Sequence, residues 1–425
     1  MARFAEFVRT ATAAGRLVVQ PRMGFGELAR MRAGLTAVRD CRATTVGTIT
    51  LDSYTRVGDH ASARRALREG ADLNGFPLLA HGAGTVRDLL HEVSGDGFPV
   101  QVRHGSPLPL DLFRTMVAAG VDATEGGPVS YCLPYGRVPL PEAADNWARC
   151  CELAAGARDP MHLETFGGCM LGQLCPPSLL VALSVLEALF FHEHGLRSIS
   201  LSYAQQVHLG QDLEALAALR RLAAEHLPGV DRHITLYTYM GVFPRTPIGS
   251  YRLVEDSVRL AVHSRTERLI VKTPAEARRI PAIEENAEAL EFADAVARKA
   301  AADCAVTNCP PPTDTGLLAE ARTLIEATLE LGHTVGSALV AAFARGVLDV
   351  PYCLHRDNAN AARAVIDERG MLSWAKAGGM PVKVRERDTE CTSGLTADRL
   401  TAMLAYNERR YDREDLVGSL LRGAA

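Results

Sequence analysis

The sequence predicts an α/β fold, a (β/α)8 TIM barrel with a C-terminal helical and irregular extension folded over it. Three observations carry that expectation. Short β-rich runs bounded by glycine or proline alternate with helix-length segments for most of the chain, and alternating βα units imply a parallel sheet. No G-x-G-x-x-G follows an early strand, which argues against the doubly wound dinucleotide-binding alternative. Arg22, Arg56, Arg103, Glu125 and Lys272 each stand just past the end of a different apolar run, the arrangement of an active-site face on such a barrel.

In chain order the candidate strands are "LVVQP", "TVGTIT", "PLLA", "FPVQV", "VDATE", "MHLETF", "SISLSY", "HITLYTY" and "RLIVK". These are nine runs for a barrel that needs eight, and "PLLA" is the weakest. Helices are expected at 108–119, 141–155, 176–195, 211–227 and 248–264. A long helical run at 281–303 leads to "NCPPPTDTG", whose prolines stop any helix. Helices at 316–331 and 335–346 follow, then an irregular tail rich in Arg, Asp and Gly. The expected division is a catalytic barrel over 1–303 and an extension over 304–425 packed on it, with no tandem repeat.

Composition excludes several classes of function. A chain of 425 residues, 47% hydrophobic, can bury a large core, and a net charge of -4 offers no basic surface to nucleic acid or anionic lipid. The amino terminus, "MARFAEFVRTATAAGR", has no apolar signal core. "SLLVALSVLEALFF" is short and contains Glu187, so it reads as a buried helix and not as a membrane span. The ten cysteines form no C-x-x-C and read as reduced core thiols. A soluble cytoplasmic protein is expected.

Arg22, Arg56 and Arg103 at one barrel mouth would repel one another unless anions are supplied. A ligand with two carboxylates would supply them, and bidentate arginine–carboxylate pairs add orientation as well as energy. The alternative is that each arginine pairs with an acid on the rim. It stands for any one taken alone, because 42 of the 46 basic residues are arginine. Glu125 precedes two glycines that permit close approach, and it would either hold an ammonium or act as a base, or simply pair with those arginines. Tyr131 and Tyr135, with Pro134 stiffening the loop between them, would cap the cavity or serve packing alone. Lys272 ends an apolar strand in a chain that otherwise uses arginine. A compact ammonium, a Schiff-base amine or a plain salt bridge with Glu276 are the readings it leaves. The histidines of "HEH" at 192–194 read as solvated, and "ETFGGCMLGQLCPPS" as a glycine-rich loop suited to close approach of a ligand.

Taken as an ordered set, "VVQPRMG", "LDSYTR", "DLNGFP", "VRHG", "EGGPVSY…PY", "CPPS", "YMGVFP" and "LIVKTPAEA…IP" resemble the large (epsilon) subunit of glutamate mutase, or methylaspartate mutase, from about residue 12 to about residue 370. The resemblance implies a (β/α)8 barrel working with adenosylcobalamin. It implies a claw of Arg22, Arg56 and Arg103 on the two carboxylates of L-glutamate, with His104 beside it. Glu125, after the fifth candidate strand, would hold the substrate amine and exchange protons with it, and Tyr131 and Tyr135 would line the pocket. Lys272 and Glu276 would grip the ribose of the adenosyl group, with Gly24, Thr50, Asn74, Pro134 and Met240 near the cofactor. The implied reaction is a reversible radical rearrangement of L-glutamate to threo-3-methyl-L-aspartate, through glycyl-radical and acrylate fragments.

Relatives of this kind ligate cobalt from a small sigma-type subunit carrying D-x-H-x-x-G. Here "DRHITL" has Leu236 at the glycine position and enters a strand, so it reads as a chance match. A separate small cobalamin-binding subunit is therefore implied, around a homodimer of this chain in a heterotetramer. The amino-terminal extension of longer relatives is reduced, the tail "PYCLHRDNANAARAVIDERG" matches only loosely, and the loops "FGGCMLGQ" and "SYAQQVHLGQ" differ. These departures leave open a biosynthetic role or a modified substrate. The alternatives are a Schiff-base aldolase or lyase using Lys272, and a non-catalytic dicarboxylate-binding homologue.

Overall fold

The structure is a computed structural model that describes residues 3–94, 97–134, 136–170, 174–307, 312–384 and 396–413. Eight short strands carry the barrel: β1 (Val18–Pro21), β2 (Gly47–Thr50), β3 (Val100–Arg103), β4 (Ala123–Gly126), β5 (His162–Thr165), β6 (Ser198–Ala204), β7 (Asp231–Tyr237) and β8 (Arg268–Val271). All pair in parallel in the order β1-β8-β7-β6-β5-β4-β3-β2. The ends of this sheet meet where Val19 N donates to Thr44 O at 2.9 Å, which brings β1 beside β2 and nearly closes the barrel.

Helix α1 (Arg3–Ala13) precedes β1. Between and after the strands run α2 (Leu28–Asp40), α3 (Ser53–Arg56), α4 (His60–Arg68), α5 (Leu78–Ser94), α6 (Leu110–Ala119), α7 (Leu140–Ala155), α8 (Pro177–Glu193), α9 (Leu209–His226), α10 (Pro247–His263) and α11 (Ile283–Thr307). The ninth predicted strand, "PLLA", is not a strand. Leu78 opens α5, because Pro77 has no N–H to give a ladder but a φ suited to a helix start. Only Phe76 before it bridges to Leu51. Glu125 therefore lies on the fourth strand and not after a fifth.

Every strand alternates with period two, and the barrel turns the polar set inward. Gln20, Thr48, Gln101, Glu164, Ser200, Thr235 and Arg268 are all fully buried and joined by hydrogen bonds across the lumen. Val19, Ile49, Val102, Leu163, Leu201, Leu236 and Leu269 point the other way and join the apolar core beneath the helices. Barrels of this class are usually filled by branched apolar side chains. This one holds a buried Arg268–Glu164 ion pair instead.

The run containing Glu187 is the buried helix expected. α8 is buried around nearly its whole circumference because α9 and α12 (Leu317–Leu329) cover the side turned away from β5 and β6. Helix α13 (Val335–Arg345) packs on α7 and α8. The tail is less irregular than expected. It holds an antiparallel hairpin, β9 (Arg363–Ile366) with β10 (Leu372–Lys376), then α14 (Ala397–Leu404). Gln211 in α9 trades two hydrogen bonds with the Leu372 backbone, and Asp412 accepts from Arg245 N and Thr246 N, so the tail is tied to the barrel's helices and loops. Among the described cysteines seven are free thiols, but Cys304 is in a disulfide, which departs from the reading of all ten as reduced. No described helix is long and apolar enough to cross a membrane.

Candidate functional site

A cavity of about 680 Å³ opens at the carboxyl ends of the strands. Arg22, Thr50, Arg56, Arg103, His104, Glu125, Tyr131 and Met240 line it, with Phe166, Arg137 and Val138 completing the wall. The three arginines reach it from different supports. Arg22 follows β1, and Arg103 is the last residue of β3. Arg56 is not at a strand end as the sequence suggested. It closes the short helix α3, which Asp52 caps by accepting from Thr55 N at 3.0 Å.

Arg103 is buried, and its Nε donates to Glu125 Oε2 at 2.7 Å. Burial opposes charge on this guanidinium, but Glu125, Tyr237 and Tyr131 outweigh it and hold the group well above its ordinary range. Burial likewise opposes charge on Glu125, and there Arg103 with the hydroxyls of Tyr131 and Tyr237 wins, keeping the carboxyl below its ordinary value. Tyr237 donates to Glu125 Oε2 at 2.6 Å and also contacts Glu164, so the two carboxylates of the lumen share one phenol. Arg56 donates from Nε to Leu51 O at 2.9 Å. Burial pushes its pKa down, and Arg103 and Arg22 push the same way. The mutual repulsion expected of three clustered guanidinium groups is thus present at Arg56.

His104 accepts at Nδ1 from Ser106 N at 3.1 Å, and burial lowers its pKa to about 3. A neutral ring with Nδ1 as acceptor carries its proton on Nε2. That Nε2 is buried and has no partner among the described residues, as are Arg103 Nη1, Arg22 Nε and Thr50 Oγ1. Buried polar groups are nearly always satisfied, so four orphans around one cavity mark a place built for a polar ligand. Three of them are nitrogen donors, which selects an acceptor-rich, anionic one.

Gly24 packs so closely on the strand β2 backbone that a Cβ would run into the Thr50 carbonyl. Glu276 does not bond Lys272, the pairing the sequence suggested. Its Oε2 accepts from Arg22 Nη1 at 2.9 Å and its Oε1 from Thr273 N at 3.2 Å. Lys272 is buried, sits 4.6 Å from the centroid of the Phe243 ring, and donates no hydrogen bond among the described residues. Burial lowers its pKa to about 8, with Glu276 opposing. Two of the remaining positions stand apart from the cavity wall. Asn74 is exposed and accepts from Ser53 N at 2.9 Å, and Pro134 lines a neighbouring cleft with Leu354 and Arg356. Tyr135 lies outside the described residues.

Sequence reasoning missed Tyr237, Glu164 and Phe166. Part of the signal was available: "MHLE" and "HITL" alternate polar with apolar residues, and period two then puts Glu164 on the polar face with His162 and Tyr237 on that with His233 and Thr235.

A family profile described as methylaspartate mutase E chain matches residues 1–399. Similar curated proteins are named glutamate mutase epsilon subunit. One from Halobacterium salinarum is 30% identical over 389 residues, covering 89% of this chain and 80% of that protein. One from Desulfitobacterium hafniense is 31% identical over 348 residues, covering 78% and 71%. A third, from Haloarcula marismortui, is 30% identical over 358 residues, covering 82% and 73%. With a profile matched along nearly its whole length and relatives at this identity, the chain belongs to the methylaspartate mutase E chain family.

Proposed function

We propose that this chain is the catalytic large subunit of an adenosylcobalamin-dependent glutamate mutase, interconverting L-glutamate and threo-3-methyl-L-aspartate. The observation that carries the reading is the ring of orphaned donors on Arg22, Arg103 and His104 facing one cavity together with Glu125. A dicarboxylate supplies the acceptors these groups lack, and its two charges relieve the repulsion at Arg56. Glu125 already binds a cation, Arg103, through one carboxylate edge, and it is held ionised in a buried site. An ammonium group of the substrate fits the same environment, and Glu125 would hold that group and accept a proton from it. Tyr131 and Tyr237 keep the carboxylate oriented.

The residues present fit the adenosyl group. Lys272 is a buried ammonium with unused donors beside the Glu276 carboxylate, a pair that suits the two hydroxyls of a ribose. Thr50 Oγ1 is a further buried orphan, and Gly24, lacking a Cβ, packs directly on the Thr50 carbonyl beside it. When bound, the cofactor would supply the radical chemistry that the rearrangement needs. The chain's own residues fix both ends of the substrate and exclude water from between them. Large apolar side chains, Val57 and Leu354 above all, stand exposed, and both line clefts at this end of the barrel. They suit a covering partner, the small cobalamin-binding subunit.

The test is reconstitution. Labelled L-glutamate, adenosylcobalamin and a small subunit carrying D-x-H-x-x-G should give labelled methylaspartate only with this chain present. Robust turnover by this chain and cofactor alone would exclude the two-subunit reading, and no rearrangement by the full mixture would exclude the mutase.

A further inference from the structure

Glu187 belongs to the barrel's outer layer, set mid-helix in α8 among apolar neighbours and fully buried. No basic side chain pairs with it among the described residues. Its carboxylate instead collects four donors from two different loops. Ser130 N donates to Oε1 at 2.9 Å, and Ser130 Oγ, Phe166 N and Gly167 N donate to Oε2 at 3.0, 3.1 and 2.7 Å. The first loop follows β4 and carries Tyr131, the next residue along; the second follows β5 and begins with Phe166. Both side chains line the cavity, where their rings lie 5.0 Å apart, and Tyr131 donates to Glu125. Gly127 completes the arrangement: a Cβ there would run into the Glu187 carboxylate.

We propose that Glu187 is a positioning residue, a strut that pins the loops after β4 and β5 to α8 and thereby fixes Tyr131 and Phe166 in the substrate pocket. The substrate in this statement rests on the mutase reading above; the strut itself does not. A carboxylate in a helix gains nothing for folding that a leucine would not give, unless its acceptors are needed, because burying a charge without a counter-ion is costly. Burial holds the carboxyl up to about 7 even against four donors that favour the charged form. The geometry explains why the acid is there: Ser130 N, Ser130 Oγ and Gly167 N would otherwise be stranded, while Phe166 N has a second acceptor in Gly126 O at 3.0 Å. Glu187 does not touch the cavity, so it acts through Tyr131 and Phe166 alone.

The experiment uses the full chain carrying Glu187→Gln, which keeps the shape but turns an amide NH2 against N–H donors. Two measurements are made: amide hydrogen exchange in the ligand-free protein at Ser130 and Gly167, whose amides bond only to Glu187 among the described residues, and steady-state kinetics with L-glutamate after reconstitution with the small subunit. The strut predicts exchange at those two amides faster by about tenfold or more, while β6 and β7 stay protected. It also predicts that KM rises about tenfold while kcat falls less than KM rises. Where Glu187→Gln fails to fold, Ser130→Ala decides the matter, removing one donor for a two- to fivefold rise in KM, roughly the worth of one hydrogen bond. Unchanged exchange at Ser130 and Gly167 overturns the strut. Faster exchange with unchanged KM overturns its positioning role. If the wild-type chain does not act on L-glutamate at all, the mutase reading falls, and the exchange data still decide the strut.

Discussion

Replacing Arg103 by lysine keeps the charge and removes the fork, which makes it the sharpest probe of the cavity. In the ligand-free protein one edge of the guanidinium is spent on Glu125, with Nε 2.7 Å from Oε2, while Nη1 is buried and unpaired. A lysine ammonium can replace the first contact but cannot serve a second acceptor in the same plane. The folded protein should therefore survive Arg103→Lys, because Glu125 keeps a cation and no uncompensated charge is created. Binding and turnover should not survive intact. One lost charge-assisted hydrogen bond to a carboxylate is worth about 1.5–3 kcal/mol, which is roughly 10- to 150-fold in kcat/KM. The assay is rearrangement of labelled L-glutamate by the reconstituted enzyme, with thermal melting as a check on the fold. Near-normal glutamate kinetics in Arg103→Lys would refute the clamp, whatever the melting curve does. Arg103→Met separates the two effects: leaving Glu125 buried without its cation should lower stability by about 3–5 kcal/mol, seen as a large drop in Tm.

Glu276→Gln should cost little stability, under about 1 kcal/mol, because its ion pair with Arg22 is partly solvated. It should tighten L-glutamate binding to the chain by about two- to fivefold by releasing Arg22, and calorimetric titration that finds weaker binding contradicts a role for Arg22 in the clamp. The ring of His104, its pKa lowered from 6.5 to about 3 by burial, should show no ionisation by NMR from pH 5 to 8. A depressed histidine is bound by fewer protons in the folded state, so its contribution to stability is whole above pH 6.5 and is lost as pH falls toward 3. Lys272, lowered from 10.5 to about 8, destabilises the fold below pH 8 by at most about 3 kcal/mol, a cost that disappears as pH rises through 10.5. Lys272→Met should therefore hold or raise Tm at pH 7 while impairing the reconstituted enzyme, and a clear fall in Tm would contradict that account.

The barrel was legible in the sequence because strand and helix periods differ and alternate cleanly from "LVVQP" to "RLIVK". The one false strand, "PLLA", failed where four apolar residues after a proline fit a helix start equally well. The cavity was legible for a related reason: cations that end apolar runs must converge at one end of a parallel barrel. Pairings were not legible. Lys272 and Glu276 sit four apart, yet the short 3-10 turn at Pro274–Ala277 folds the glutamate back on Thr273 N and toward Arg22. Glu187 was read correctly as the acid of a buried helix, but nothing in its neighbours along the chain reveals that loops 57 and 20 residues distant supply its donors.

The cavity is a place where local satisfaction has been withheld. Three guanidinium groups converge there, one has its pKa pushed down by burial and by the other two, and four buried polar atoms lack partners. Each of these raises the free energy of the ligand-free fold. The lumen just below shows that the barrel can satisfy such groups: Arg268, fully buried, is bonded to Glu164, Ser200, Thr235, His233, Gln20 and Gln101. Unpaired atoms occur elsewhere too, Gln101 Nε2 in the lumen among them, but at the mouth four of them surround one cavity and three are nitrogen donors. A dianionic ligand that removes the deficit must then stabilise the fold by more than its contact area alone accounts for, because it satisfies groups the unliganded protein leaves unpaired. L-Glutamate should accordingly raise the Tm of the chain even without cofactor, and a monocarboxylate of the same length should raise it far less.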